Sequence, residues 1–151
     1  MRHGQPGSVV NGSFPDLCVA DVAASTRFYR ELLGLAVLVD HGWYVELGHD
    51  GVVFLALVRA GHPTVPATAD APARGLLVSF EVDDVAVAIA AATTTGLSFV
   101  VEPVIELGQH HFMVTDPDGT IVDVIERTAL DRSERARLAA YRRADRAASA
   151  S

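Results

Sequence analysis

The chain repeats one order of sequence signals, and this repeat constrains its fold more than any other feature. In each half, an apolar segment precedes an acidic helix start, a helical stretch ends at glycine, and further apolar segments follow, separated by turns. Self-similarity at a near-constant spacing indicates a duplicated supersecondary unit. The matched segments are 19–22 with 82–85 at an offset of 63 residues, 34–35 with 96–97 at 62, and 50–51 with 118–119 at 68.

Each unit is predicted to be a βαβββ module, which gives an α+β fold. The first module is predicted at residues 13–59 and the second at 76–128, with a proline-bearing linker at 60–75 between them. Residues 1–12 are predicted to be a flexible lead-in and residues 129–151 an Arg- and Ala-rich helical extension. Predicted strands are 14–20, 35–39, 43–47, 52–58, 76–82, 98–105, 110–115 and 120–126; predicted helices are 22–33, with Phe28 on its apolar stripe, and from the Asp83-Asp84 cap to about 95.

The composition fits a soluble protein with a sizeable core. The chain has 151 residues, of which 50% are hydrophobic, and a net charge of −7, which argues against nucleic acid as a partner. No apolar run approaches the roughly 20 residues that span a bilayer, and the start of the chain has no signal-peptide core. The single cysteine, Cys18, excludes an internal disulfide bond. We therefore expect a cytoplasmic protein that does not bind membranes.

A tight turn and the strand after it, residues 116–126, contain the most informative carboxylate. The sequence Asp-Pro-Asp-Gly is typical of a turn, and an apolar strand follows it with Asp123 in the middle. A carboxylate in a buried strand requires compensation. Asp123 is therefore either a residue that faces a ligand pocket or a buried carboxylate that backbone groups or an arginine satisfy.

These motifs together resemble the vicinal oxygen chelate superfamily, which includes glyoxalase I, extradiol dioxygenases, fosfomycin-resistance thiol transferases and bleomycin-resistance proteins. The resemblance rests on VADVAASTRFYRELLGL, on the repeated VDDVAVAIAAATTTGL and on FMVTDPDGTIVDVIE, and it covers roughly residues 13–128. It implies two tandem modules whose curved mixed sheet encloses a pocket, commonly completed in a homodimer. A fold of this kind does not by itself specify the chemistry.

The resemblance also implies four equivalent positions for metal ligands, one on the first and one on the last strand of each module. In this chain they correspond to Phe14, Leu55, Leu77 and Asp123. Only Asp123 has a side chain that can bind a metal, whereas a catalytic divalent site needs about three protein ligands. We therefore expect no metal cofactor. A non-standard divalent site of His111, Asp123 and either Glu46 or His41 is the alternative.

Strand alternation extends the candidate ligand-binding set beyond these positions. Because alternate residues share a face, Asp16 and Cys18 are expected with Phe14, Leu57 with Leu55, Ser79 and Glu81 with Leu77, and His111 and Met113 with Asp123. Phe54 is expected to point away from the pocket, and Trp43 is an aromatic that can stack on a flat ligand. The two ELG triplets, at 46–48 and 106–108, are interpreted as equivalent strand ends.

Several of these candidates have a second, structural interpretation. Cys18 is either a nucleophile or a small buried apolar residue, and no neighbouring base is evident for the former. His111 either joins Asp123 in the pocket or faces solvent or a subunit interface. The candidate catalytic residues are Asp123 and His111.

The pattern favours a metal-independent protein that binds a hydrophobic or aromatic small molecule, with antibiotic sequestration as one role. The alternative is an enzyme of the same superfamily, a lyase, an isomerase or cyclase, or a dioxygenase, with Asp123 or His111 as general acid or base. A third interpretation is a structural homodimer in which the C-terminal helix is the important feature.

Overall fold

A computed structural model of the protein describes residues 8–150, which form eight strands and three α-helices. Of the predicted lead-in, residues 1–7 lie outside the described residues, and residues 8–12 are exposed and irregular. The first module comprises β1 (Asp16–Val19), α1 (Val22–Leu33), β2 (Ala36–Asp40), β3 (Tyr44–His49) and β4 (Val52–Arg59). The second comprises β5 (Leu77–Glu81), α2 (Val85–Thr94), β6 (Val101–Glu106), β7 (Gln109–Thr115) and β8 (Ile121–Arg127), followed by α3 (Arg132–Ser149). The predicted α+β class and duplicated βαβββ order are confirmed.

Each module folds its four strands into a mixed sheet with the same topology. The strand orders are β1-β4-β3-β2 and β5-β8-β7-β6. The first and last strands of each module pair in parallel, and the other neighbours are antiparallel. The helix between the first two strands provides the long connection that a parallel pair requires.

Helix α1 begins and ends where its sequence predicts. The Asp21 carboxylate accepts a hydrogen bond from the Ala24 amide at 3.0 Å, and Gly34 ends the helix with a φ of 66°. The face that packs inward carries Tyr29, which is fully buried, whereas Phe28 is only partly buried against the core. The predicted apolar stripe through Phe28 therefore packs against the core, with Tyr29 as its most buried residue.

One hydrophobic core connects the two modules. The face of each sheet that packs against a helix, called here the covered face, contributes residues such as Leu17, Leu47 and Val124 to a single cluster. The opposite face is called the open face. The Asp118 carboxylate in the β7–β8 turn also accepts a hydrogen bond from the Ala20 amide at 3.0 Å, which joins the second module to the first.

The C-terminal extension forms the helix α3 over 18 residues. Asp131 and Glu134 form a reciprocal capping box at its start, in which each side chain accepts a hydrogen bond from the other residue's backbone amide. Neither α3 nor any other helix within residues 8–150 is long and apolar enough to cross a membrane.

Candidate functional site

The open face of the first sheet brings together polar and aromatic side chains from three strands. Residues paired across neighbouring strands point to the same face, so the strand register defines two rows on this surface. The rows are Asp16, Ala56 and Glu46, and then Cys18, Val58 and Tyr44.

A cavity of about 570 Å³ lies over the second of these rows. Its aromatic wall is formed by Trp43, Tyr44 and His41, and the ring of His62 stacks on Trp43 with 3.8 Å between ring centroids. Part of the linker closes the other side. The lining residues are Asp16, Cys18, His41, Trp43, Tyr44, Val58, Thr64, Val65, Pro66 and Ala69.

Two carboxylates and a phenol form the polar part of this cavity region. The Tyr44 hydroxyl donates a hydrogen bond to Glu46 Oε1 at 2.8 Å. Burial and the hydrogen bond to Glu46 raise the pKa of Tyr44 to about 12, so the hydroxyl stays protonated at neutral pH. Burial, together with the charge of Glu46, also raises the pKa of Asp16. This end of the cavity is therefore acidic and offers hydrogen-bond acceptors.

The Cys18 side chain is buried beneath the linker. Its Sγ lies 3.6 Å from the Asp70 carboxylate, which also accepts a hydrogen bond from the Gly61 amide at 2.6 Å. Burial, followed by the hydrogen bond and the charge of Asp70, raises the pKa of the Cys18 thiol. A thiol of this kind is protonated at neutral pH, and only the thiolate is a strong nucleophile. The geometry therefore favours the structural interpretation of Cys18.

The open face of the second sheet carries the equivalent rows with different chemistry. Ser79, Asp123 and Met113 correspond to Asp16, Ala56 and Glu46, and Glu81, Ile125 and His111 correspond to Cys18, Val58 and Tyr44. In the row of Asp123 the carboxylate is on the last strand of the second module, whereas in the equivalent row of the first module Asp16 and Glu46 are on the first and third strands. His111 and Asp123 are the buried polar residues on this surface.

A buried hydrogen bond joins His111 to Asp123. The distance from Nδ1 to Asp123 Oδ1 is 2.9 Å, and His111 Nε2 lies 3.4 Å from Glu106 Oε1. Burial by itself lowers the pKa of His111, but the hydrogen bonds and charges of Asp123 and Glu106 outweigh it and raise the pKa overall. Glu106 also lies 3.8 Å from Arg137 of α3, which links this group to the C-terminal helix.

These donor atoms do not fit the alternative divalent metal site of His111, Asp123 and a third ligand. Asp123 and Glu106 interact with opposite nitrogens of the His111 ring, so the two carboxylates cannot meet at one ion bound by a single ring nitrogen. Glu46 and His41, the two possible third ligands, are placed at the first-module cavity instead: Glu46 accepts a hydrogen bond from Tyr44, and His41 lines the cavity. Within residues 8–150, no three His, Cys, Asp or Glu side chains are grouped so that they could hold a metal ion.

The expectation that Leu55 and Leu57 face the ligand is wrong. Both are fully buried on the covered face and belong to the hydrophobic core. A bulge in β4 is the cause: Leu47 pairs with Leu55 but Gly48 pairs with Val53, which leaves Phe54 as an extra residue. Counting from Gly51 crosses this bulge and misplaces the face by one residue.

Ala56 therefore takes the place in the open-face row that was assigned to Leu55, and it has no atom that binds a metal. The same bulge invalidates the count that predicted Phe54 to point away from the ligand-binding side. Phe54 is 45% exposed and lines a cleft between the two modules.

The remaining predicted residues are more dispersed. Phe14 precedes β1 and is exposed, and Leu77 and Ser79 are exposed at the start of the second open face. None of these three lines the cavity of the first module. The two ELG triplets are not equivalent, since Gly48 lies in β3 and Gly108 lies in the turn between β6 and β7.

The sequence interpretation missed the part of the linker that closes the cavity. His62, Val65 and Pro66 show no periodic pattern, so only the prolines on either side of Val65 indicated a fixed backbone there. Asp70, whose carboxylate accepts hydrogen bonds from Cys18 and Gly61, is not part of a recognisable sequence motif and was therefore missed as well.

Solved structures with similar folds come from several bacteria. The protein VPC_CASS1 from the mobile metagenome of V. Pseudocholerae is 22% identical, with a TM-score of 0.67 over 82% of this chain and 98% of its own. TioX from Micromonospora sp. ML1 is 17% identical, with a TM-score of 0.66 over 78% and 99%. TnmS3, described as an antibiotic binding protein from Streptomyces sp. CB03234, is 23% identical, with a TM-score of 0.62 over 81% and 99%. At these identities the similarity establishes the fold.

Sequence comparison assigns the family. No curated protein matches the chain significantly. The family model described as Glyoxalase/Bleomycin resistance protein/Dioxygenase superfamily matches residues 9–124, which include both modules up to β8. The chain therefore belongs to the glyoxalase/bleomycin resistance protein/dioxygenase superfamily.

Proposed function

We propose that the protein binds an aromatic small molecule without a metal ion and that the ligand occupies the cavity of the first module. The observation that carries this proposal is the 570 Å³ cavity with Trp43 and Tyr44 in its wall. Ligand sites typically enclose about 300–1,000 Å³, with mostly apolar walls and a few polar groups. The cavity has these properties.

The side chains around the cavity suit a flat ligand with a hydrogen-bond donor. Trp43 stacks against His62 in a nearly parallel geometry, with an interplanar angle of 2°, which holds its ring in the cavity wall where a flat ligand can contact it. Asp16 supplies a carboxylate at the edge of the same cavity. These few polar contacts would orient the ligand while the aromatic and linker residues exclude water.

Sequestration of an antibiotic is the role that we propose for this binding. TnmS3, which shares the fold, is described as an antibiotic binding protein. Binding without turnover requires only a cavity of suitable shape, which is what the first module offers. Such a protein would act in the cytoplasm, where it would lower the free concentration of the compound.

The single tryptophan makes this proposal testable with little ambiguity. The chain has one Trp, so fluorescence quenching reports on Trp43 alone. We expect bleomycin, an anthracycline or another aromatic antibiotic in a titration series to quench Trp43 with a Kd in the micromolar range or below. Calorimetry should show that Trp43→Ala weakens binding at least about tenfold, equivalent to about 1.4 kcal/mol.

Tyr141→Ala is the matched control, because it removes an exposed aromatic side chain in α3 and should leave affinity unchanged. Two results would contradict the proposal. One is the absence of any ligand that binds more tightly than high micromolar. The other is unchanged affinity in Trp43→Ala.

The buried pair of His111 and Asp123 supports a second candidate function, an enzyme that uses general acid–base catalysis. With its pKa raised, the imidazolium of His111 would act as the acid while Asp123 orients its ring. Isomerase, cyclase and lyase reactions need such a group; dioxygenase chemistry would require a redox centre in addition. If turnover of a bound compound is found, Asp123→Asn should lower kcat by about 10²–10⁴ with little change in affinity. Equal kcat values would remove this candidate.

A further inference from the structure

The C-terminal helix α3 is held at its start and extends away from the fold. Glu134 is buried and accepts a hydrogen bond from the Gly108 amide at 3.5 Å, which fixes the first turn to the second module. Every residue from 139 to 150 is exposed. An 18-residue helix is about 27 Å long and only marginally stable in water without packing. The far end of α3 therefore has the properties of a segment that packs on another molecule.

The charge of α3 is opposite to that of the rest of the chain. Between Arg132 and Ser149 there are six Arg and two acidic residues, which gives +4; the whole chain carries −7, so the remainder carries −11. Within the described residues, Arg142, Arg143 and Arg146 make no ion pair. Leu138 and the exposed Tyr141 add an apolar strip to this basic surface.

A cleft between the two modules has the complementary character. It encloses about 660 Å³ and is lined largely by apolar side chains; we call it the inter-module cleft. Its charged lining residues are acidic, and no Arg from the described part of the chain lines it. The residues that matter are Leu33, Leu35, Phe54, Phe80, Glu81 and Asp83. Glu81 is paired with Arg127 at 3.0 Å, whereas Asp83 has no ion-pair partner within residues 8–150.

We propose that α3 of one copy of this chain docks in the inter-module cleft of a second copy, and that the contact is reciprocal. Leu138 and Tyr141 would cover the apolar floor around Phe54, and the free guanidinium groups would face Glu81 and Asp83. A helix that lays an apolar strip into a groove is a common mode of recognition, and complementary charge determines its partner. In a homodimer with two-fold symmetry, the α3 helices of both copies are buried in equivalent contacts.

A second copy fits this surface better than a polyanion does. Nucleic acid or an anionic membrane would attract α3, but the remaining net charge of −11 would oppose its approach. A second copy offers acidic side chains beside an apolar floor, Glu81 and Asp83 next to Phe54, and a reciprocal contact places two basic helices against two acidic clefts. This homodimer contact is independent of the ligand proposed above.

Charge reversal on each side tests the contact directly. The arm-reversed variant is Arg142→Glu, Arg143→Glu and Arg146→Glu; the cleft-reversed variant is Glu81→Lys and Asp83→Lys. By light scattering, the natural chain of 16.0 kDa should have the mass of a dimer. Each variant alone should be monomeric, because arm and cleft then carry like charges. An equimolar mixture of the two should recover the dimer, because both contacts are again between opposite charges, and recovery also shows that both variants fold.

Glu31→Lys with Glu102→Lys is the matched control, since it changes the net charge by the same amount at exposed acids outside the cleft and should remain dimeric. A monomeric natural chain at tens of micromolar would overturn the proposal. A dimer that persists in either variant, or a mixture that stays monomeric, would also overturn it. So would a natural chain that is monomeric alone and binds anionic vesicles or duplex DNA through α3.

Discussion

The hydroxyl of Tyr29 in the first module donates a hydrogen bond to the carboxylate of Asp116 in the second, with 2.8 Å between the two oxygen atoms. The same carboxylate accepts hydrogen bonds from the Asp118 and Thr120 amides, each at 2.9 Å. Ser25 Oγ lies 3.5 Å from Asp118. The two most recognisable motifs of the sequence, the start of the first helix and the Asp-Pro-Asp-Gly turn, therefore contact each other across the module boundary.

Tyr29→Phe should destabilise the protein because it removes one hydrogen bond from a buried carboxylate. Asp116 is only 4% exposed, so water cannot easily replace the lost donor. We expect a loss of about 1–3 kcal/mol in the free energy of unfolding, measured by urea denaturation. Tyr141→Phe makes the same chemical change on the exposed part of α3 and should cost less than about 0.5 kcal/mol. Similar losses in both variants would contradict this role for Tyr29.

Gly48→Ala should also be destabilising, through a steric conflict at the β4 bulge. A Cβ atom at Gly48 would collide with the Val52 carbonyl and contact the Leu38 side chain. Overpacking of this kind costs about 1–3 kcal/mol. Gly12→Ala is the matched control, since no atom of residues 8–150 lies within 4 Å of a Cβ there. Thermal unfolding followed by circular dichroism would compare the two, and an unchanged Tm for Gly48→Ala would contradict the predicted collision.

The His111–Asp123 pair predicts a specific pH dependence of stability. The pKa of His111 is raised in the folded protein, relative to about 6.5 in the unfolded chain. The protonated pair therefore contributes fully below about pH 6.5, and its contribution is lost as the pH rises through the folded pKa. At pH 6, His111→Gln should lower the free energy of unfolding by about 1.5–3 kcal/mol, and the difference should shrink by pH 9.

Urea titrations at the two pH values would measure this difference. His110→Gln, at the neighbouring position on the opposite face of β7, provides the control and should show no comparable change with pH. A loss in His111→Gln that is the same at pH 6 and pH 9 would mean that the charge of His111 does not contribute to folding.

Cys18 should react slowly with thiol reagents in the folded protein. Burial and Asp70 raise the pKa of its thiol, so little thiolate is present and the sulfur is poorly accessible. At pH 8, iodoacetamide should modify the folded chain several-fold more slowly than the chain in urea. Because Cys18 is the only cysteine, mass spectrometry reads the result directly. Faster modification in the folded state would indicate an activated nucleophile instead.

The sequence was sufficient to predict the fold, because the signals that determine it are local and occur twice. Helix caps such as Asp21, the glycine turns and the apolar strands each depend on residues that are close together in the sequence. The register of β7 and β8 is unbroken, so simple alternation correctly grouped His111 and Met113 with Asp123 on one face. These predictions needed no knowledge of distant contacts.

The site of the first module was harder to predict because it depends on contacts between residues that are distant in the sequence. The bulge at Phe54 depends on how two strands pair, and no local signal distinguishes it from a regular hairpin. The linker residues that close the cavity, such as Val65, are positioned by contacts across the module. The role of Glu106 beside His111 was missed because the two ELG triplets look alike in sequence but occupy different places in their modules.

The bulge in β4 has an evolutionary consequence. Beyond Phe54 the strand keeps its partners, from Leu55 opposite Leu47 to Val58 opposite Tyr44, so the extra residue is absorbed without disturbing the core. A duplicated gene can therefore gain or lose one codon at this hairpin and still encode a folded module. Alignments that equate the two halves by counting from their glycines will then pair the core residue Leu55 with Asp123 on the open face. Comparisons of diverging copies should follow the strand pairing instead.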